Sequence, residues 1–253
     1  MATIGLIAGS GMQGWHEQSI EQQPIDTPYG PPSAAIERFE LNQVTVHQVA
    51  RHGQPHTVPP HRVNYRANIW ALKELGCEAI VAVNTVGGIN ANMGPGTLLV
   101  PDQIIDLTWG RAQSFWDSAD DEPRHVDFTE PYDAALRQQL LHAAEHESLA
   151  MHDGGVYLAT QGPRLETAAE IRHYRTMQAD VVGMTGMPEA ALARELGIPF
   201  AVIGVVVNWA AGLAGPTLDF IEIEQQQKTC IRQVARVIWR LTNELTKIVT
   251  YQQ

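Results

Sequence analysis

Six short segments put polar or charged residues where an apolar run ends, the positions from which a chain can offer hydrogen bonds to an anion or a heteroaromatic ring. The first, Gly9-Ser10-Gly11-Met12-Gln13-Gly14, matches the GxGxxG spacing of dinucleotide sites. Those sites need a helix packed on the sheet next, whereas here a polar stretch with Pro24, Pro28, Pro31 and Pro32 follows. What remains is a glycine loop whose backbone N–H groups and Ser10 hydroxyl can cradle an anion, or a plain strand-end turn. In Arg51-His52-Gly53-Gln54-Pro55-His56 the guanidinium offers forked donors that match phosphate oxygens. His52 and His56 have a spacing a metal could use, yet no carboxylate stands near them in sequence to complete a ligand set.

The remaining segments have the same double character. Val83-Asn84-Thr85-Val86-Gly87-Gly88 can set a hydroxyl and backbone amides beside a ligand, or make a glycine turn with satisfied polar groups. Gly162-Pro163-Arg164-Leu165-Glu166 and Met184-Thr185-Gly186-Met187-Pro188-Glu189 each lead from a strand into a helix. Glu166 suits the positive end of a helix dipole as well as a ligand, and Thr185 suits a helix cap as well as a binding role. Asn208 closes the apolar run 200–207 and is followed by Trp209, Ala210, Ala211 and Gly212. A polar residue at the carboxyl end of a central strand points to ligand contact.

These segments need a scaffold, and the apolar pattern supplies one. β-rich runs at 3–8, 44–50, 79–84, 97–101, 155–160, 181–184 and 200–207 alternate with helical periodicity at 63–75, 132–146, 166–177, 188–196 and about 221–251. This predicts an α/β fold, a central mixed β-sheet flanked by helices, in a single domain spanning 1–253. Ile231, Val234, Val237, Ile238, Leu241 and Leu245 form a core stripe on the last helix. The polar stretch 109–130 reads as a long surface excursion, a kind of segment that tends to be functional.

Composition removes other classes. With 17 Lys and Arg against 28 Asp and Glu, the formal charge is −11, which argues against a broad surface for nucleic acid. The longest apolar run, 198–207, contains a Pro and a Gly and is too short for a membrane span. The start, MATIGLIAGSG, lacks a basic leader and reads as a first strand. Cys77 and Cys230 belong to no CxxC or Cys/His cluster, so a reducing cytoplasm is the natural compartment.

Together the segments resemble the trimeric nucleoside phosphorylases, in the branch that contains purine nucleoside phosphorylase and methylthioadenosine phosphorylase. The most specific parts are Arg51-His52-Gly53 followed by Val63-Asn64-Tyr65-Arg66-Ala67-Asn68-Ile69, then Gly162-Pro163-Arg164, then Met184-Thr185 with Pro188-Glu189. The resemblance implies phosphorolysis, in which inorganic phosphate attacks the anomeric carbon of a purine nucleoside and leaves a sugar 1-phosphate. It implies that Ser10, Arg51, His52, Thr85, Val86 and Thr185 hold phosphate. Met184 would pack on the ribose, and Leu165, Glu166 and Asn208 would form the base pocket, with Glu166 and Asn208 catalytic. His125 would reach a neighbouring subunit's 5′ pocket in a homotrimer. No metal or organic cofactor is implied, since phosphate is a co-substrate. A non-catalytic nucleoside-binding protein of the same fold is the alternative of another class.

The substrate follows from departures within that branch. Its adenine-selective members carry two aspartates separated by one residue where this chain has Asn208-Trp209-Ala210. An Asn can donate to a purine O6 and accept from a protonated N7, and Glu166 can accept from N1–H, which suits hypoxanthine or guanine. The framework, including Gln54-Pro55-His56-Thr57 and Asn68-Ile69-Trp70-Ala71-Leu72-Lys73, looks closer to the methylthioadenosine side. Leu218, Phe220, Ile221 and Ile223 offer an apolar 5′ wall, with Ile221 as the chosen contact. A methylthio framework around a 6-oxopurine pocket implies methylthioinosine as substrate. General 6-oxopurine nucleosides and methylthioadenosine are the alternatives.

Overall fold

The computed structural model describes residues 2–18, 20–117, 122, 124–215 and 219–251. Its strands, in chain order, are β1 (Thr3–Ala8), β2 (Glu21–Gln23), β3 (Ile36–Leu41), β4 (Val44–Ala50), β5 (Ala79–Gly88), β6 (Leu98–Val100), β7 (Gln103–Asp106), β8 (Met151–Asp153), β9 (Val156–Ala159), β10 (Val181–Gly183) and β11 (Phe200–Trp209). The helices are α1 (Tyr65–Glu74), α2 (Ala134–His146), α3 (Ala168–Thr176), α4 (Gly186–Glu195) and α5 (Phe220–Tyr251). No helix of the described residues is long and apolar enough to cross a membrane.

The strands form one mixed sheet in the order β2-β3-β4-β1-β5-β10-β9-β7, with β11 lying along β5 and leading on to β6 and β8. At its centre β4, β1, β5 and β11 run parallel. Parallel strands are covered on both faces, which is why β1, β5 and β11 read as near-continuous apolar runs, while β4 buries Thr45, His47 and Gln48 among its valines. Alternate side chains of β5 go to opposite cores. Ile80 and Ala82 pack with Ile69 and Leu72 of α1 and Ala190 and Leu192 of α4. Val81 and Val83 pack with Leu140 of α2 and Val234, Val237 and Leu241 of α5.

Two strands absent from the sequence reading form the β3–β4 hairpin and its edge. Leu41 pairs with Val44 across Asn42 and Gln43, whose φ angles are 51° and 64°. That is the backbone of a tight two-residue hairpin, made without the glycine that usually announces it. The stretch after the Gly9 loop turns and enters the short strand β2, so no helix packs there as a dinucleotide site requires.

Candidate functional site

All six polar segments meet at the carboxyl ends of the central strands and the loops beside them. They surround a cavity of about 400 Å³ lined by Ser10, Arg51, His52, Thr85, Val86, Leu165, Glu166, Met184, Thr185 and Asn208. The first of them, the Gly9 turn, brings Ser10 in from the end of β1. A Cβ on Gly9 would stand 2.2 Å from the Val83 carbonyl and 3.0 Å from Arg51 Nη1, so only glycine lets this turn approach the guanidinium.

Arg51 is 1% exposed and faces Glu189, which is fully buried. Its Nε donates to Glu189 Oε1 at 2.6 Å, and Nη2 donates to Oε2 at 2.9 Å and to Asn84 Oδ1 at 2.8 Å. Nη1 donates to the Val83 carbonyl at 3.0 Å. Four of the five guanidinium N–H groups are thus engaged by protein, which leaves one on Nη1 for a ligand among the described residues. Burial alone would lower the Arg51 pKa, but the Glu189 carboxylate reverses this and holds it above its ordinary value. Arg51 therefore enters the cavity with its charge already matched, not as the open phosphate fork that its place in the sequence suggests.

His52 Nδ1 lies 2.8 Å from the Val58 carbonyl, and its ring stacks on His56 at 4.6 Å between centroids. A carbonyl can only accept, so the proton resides on Nδ1 and Nε2 carries the lone pair. Burial, reinforced by the nearby Arg51 charge, pushes the imidazole down to about 4. At neutral pH it faces the cavity uncharged, as an acceptor suited to a P–OH group.

Asn84 was noticed in the sequence only as a polar break in an apolar strand. Besides accepting from Arg51, its Nδ2 donates to Thr185 Oγ1 at 3.2 Å, and the buried Tyr157 hydroxyl lies 3.4 Å from the Thr185 backbone N–H. It links the two halves of the anion side. Glu189 was quoted in the sequence motif without a role, because its partner lies 138 residues away.

On the opposite wall, β11 shifts register against β5 between Val206 and Asn208. Such a bulge re-aims the side chain that follows it. Asn208 Nδ2 donates to the Trp209 carbonyl at 2.7 Å, so one N–H and the Oδ1 acceptor remain among the described residues. Glu166 accepts from Thr160 Oγ1 at 3.0 Å, and burial pushes its carboxyl above the ordinary range.

One expected contact is placed elsewhere. Ile221 is 69% exposed and does not line the cavity, whereas Phe220 and Ile223 do. Positions 220 and 223 share a helix face, and 221 is turned about 100° away from 220. Leu218 lies outside the described residues. His125 is exposed and stands apart from its own chain's cavity. Part of the 63–69 motif serves structure: Asn64 caps α1 by accepting from the Ala67 N–H, and the buried Asn68 accepts from the Ser33 N–H. Among the described residues, no group of three or more His, Cys, Asp or Glu is placed to hold a metal ion.

The strand ends of this doubly covered α/β sheet thus enclose a cavity with a buried guanidinium and hydroxyls on one wall and an amide and a carboxylate on the other. The chain belongs to the phosphorylase superfamily, whose family model matches residues 3–243. It is 47% identical to a probable S-methyl-5′-thioinosine phosphorylase of Pseudomonas syringae pv. tomato, over 95% of this chain and 98% of that protein. It is 42% identical to the 6-oxopurine nucleoside phosphorylase of Pyrococcus furiosus, over 94% of this chain and 91% of that one. Among solved structures, methylthioadenosine phosphorylase from Schistosoma mansoni in complex with adenine superposes with a TM-score of 0.91 at 29% identity, covering 98% of this chain and 93% of that chain.

Proposed function

We propose that this chain catalyses phosphorolysis of S-methyl-5′-thioinosine to hypoxanthine and 5-methylthioribose 1-phosphate, with chain 1–253 acting as one phosphorylase domain. The observation that carries the choice of base is Asn208, lining the cavity with one amide N–H and its Oδ1 unspent, together with Glu166. The amide donates to O6 and accepts from N7–H, while the Glu166 carboxylate accepts from N1–H. Adenine has no N1–H and presents a donor at position 6, so it fits this pair poorly. The naming of the Pseudomonas syringae relative supports the same substrate, and the Pyrococcus furiosus relative supports general 6-oxopurine cleavage as the second reading.

In the reaction a phosphate oxygen forms a bond to C1′ as the N9–C1′ bond breaks. The bonding pair passes into the purine, which takes up a proton at N7 from solvent. Positive charge gathers on the ribose between the bound phosphate and the departing base. Ser10, Thr85, Thr185 and the Val86 backbone hold phosphate, joined by the remaining Arg51 N–H and the His52 acceptor. Met184 packs on the ribose, Leu165 on the base, and Phe220 and Ile223 take the apolar 5′ role first given to Ile221. The protein works as a cytoplasmic homotrimer without metal or organic cofactor, and His125 serves a neighbour's 5′ pocket.

The deciding experiment is a panel of methylthioinosine, inosine, guanosine, methylthioadenosine and adenosine with and without phosphate. Phosphate-dependent cleavage with methylthioinosine leading is the expected result. Inosine leading would favour the second reading, and equal base release without phosphate would replace phosphorolysis by hydrolysis.

A further inference from the structure

Arg111 lies in the long excursion after β7 and does not line the cavity, yet its guanidinium reaches the backbone behind both walls. Nη1 is 2.8 Å from the Met184 carbonyl, 2.6 Å from that of Met187 and 3.1 Å from the Tyr65 hydroxyl. Nη2 is 2.9 Å from the Gln161 carbonyl and 3.3 Å from that of Thr160, and Nε is 3.2 Å from Gln161 Oε1. The first group of carbonyls brackets Thr185, on the anion side. The second belongs to the loop that carries Glu166, on the base side, where Thr160 Oγ1 also donates to Glu166.

All of these partners are neutral oxygens. A guanidinium surrounded by carbonyls makes no ion pair with them. Its use is geometric, because five N–H groups in one rigid plane can span two loops at once. Segments 160–166 and 184–187 leave the paired strands β9 and β10, joined at their bases where the Thr160 N–H donates to the Gly183 carbonyl at 2.8 Å, and their placement beyond that point sets where Glu166 stands with respect to Thr185.

We propose that Arg111 is a positioning residue, bracing the 160–166 and 184–187 loops as one unit so that the base wall and the anion wall keep their spacing through the reaction. Its effect on catalysis presupposes phosphorolysis at this cavity, but the brace itself can be read without turnover. In Arg111→Lys the charge remains while the planar fork is lost, and the three ammonium donors cannot span both loops.

Hydrogen exchange on native protein and Arg111→Lys should show amides of both loops exchanging faster together, by tenfold or more, with β4 and α5 unchanged. Acceleration of neither loop, or of one alone, overturns the brace whatever the substrate proves to be. In kinetics, Arg111→Lys should retain a near-native melting temperature and phosphate KM while kcat falls on the order of tenfold to a hundredfold, the scale of an ångström-sized misplacement. The preference for methylthioinosine over methylthioadenosine should also shrink. For Arg111→Ala, millimolar guanidinium ion should restore part of the lost kcat where equal ammonium does not. Native kcat and base preference in a folded Arg111→Lys would overturn the catalytic role. Loss of phosphate dependence in the native protein would instead sink the phosphorolysis reading and leave the exchange result standing.

Discussion

On the proposed reading, Asn208 decides between purines by a single donor. In Asn208→Asp an amide that donates to O6 becomes a carboxylate that only accepts, set against a carbonyl dipole. The loss for a 6-oxopurine should be about 1–3 kcal/mol, or roughly ten- to a hundredfold in kcat/KM. Methylthioadenosine should suffer less, since its amino group can donate to the new carboxylate. Measuring kcat/KM for both nucleosides with both proteins checks this, and an unmoved ratio removes Asn208 from the base site. Glu189 acts on the other wall by neutralising Arg51. Glu189→Gln should bare the guanidinium, so phosphate binds more tightly while its attacking oxygen is less reactive. A lower phosphate KM with a lower kcat is expected, along with a loss of roughly 3–5 kcal/mol in stability for breaking a buried pair. Unchanged phosphate kinetics in a folded variant would contradict it.

His52 adds a titration whose direction is fixed by its surroundings. Its folded pKa of about 4 lies below the unfolded 6.5, so between these values the unfolded chain binds the proton and the folded one does not. The neutral ring's contribution is complete above the unfolded value and is lost as pH falls toward 4. The full span corresponds to about 3 kcal/mol. His16, His47 and His56 are displaced in the same direction, each chiefly by burial. Urea denaturation at pH 7 and pH 4.5 should show a shallower loss for His52→Gln than for the native protein. Parallel losses would mean that the ring is not held neutral.

At the level of elements, the most buried strands were the most legible. The runs at β1 and β4 mark those strands residue for residue: β1 is apolar after Thr3, and in β4 Val44, Val46, Val49 and Ala50 carry the β signal although Thr45, His47 and Gln48 are buried among them. In β3 the adjacent Glu37 and Arg38 break the apolar–polar alternation, and its turn lacks glycine, so neither cue for a hairpin was present. Gln43→Gly should remove a left-handed side-chain penalty that outweighs the backbone freedom gained, for a net stabilisation on the order of 1 kcal/mol or less. Thermal melts should move up by about 2–4 °C at most; a lower melting temperature would show that the Gln43 side chain contributes more than the turn costs. The candidate site was legible at strand ends, where Arg51, Thr85 and Asn208 interrupt apolar runs. Glu189 and Arg111 were not, because their partners are distant in sequence or are backbone carbonyls that leave no mark in residue type. The phase of α5 was also hidden, since Phe220, Ile221 and Ile223 are all apolar and only the helix's rotation selects two of them.

For the whole molecule, Leu107, Trp109 and Val126 remain exposed on or beside the 109–130 excursion. Apolar side chains left uncovered in one chain are what a neighbouring subunit would bury. Light scattering should find a trimer for the native protein, and Trp109→Glu should shift it toward smaller species at low concentration. A stable, fully active native monomer would remove both the trimer and the role given to His125. His125→Ala should alter kinetics with 5′-methylthio substrates more than it alters phosphate KM, and identical kinetics with every 5′ substituent would leave it a surface residue.

The pairing of β5 with β11 carries a last implication. Thr85 and Val86 stand on one strand and Asn208 on its hydrogen-bonded neighbour, two positions further along with the bulge between. In the proposed reaction the interval between attacking oxygen and departing ring is therefore ruled by the repeat of a ladder in the middle of the protein, which no surface loop can stretch. On such a ruler the reading of the base becomes an exchangeable fitting: a substitution at the end of β11 can re-address the enzyme to another purine while the seat of the nucleophile stays where it was.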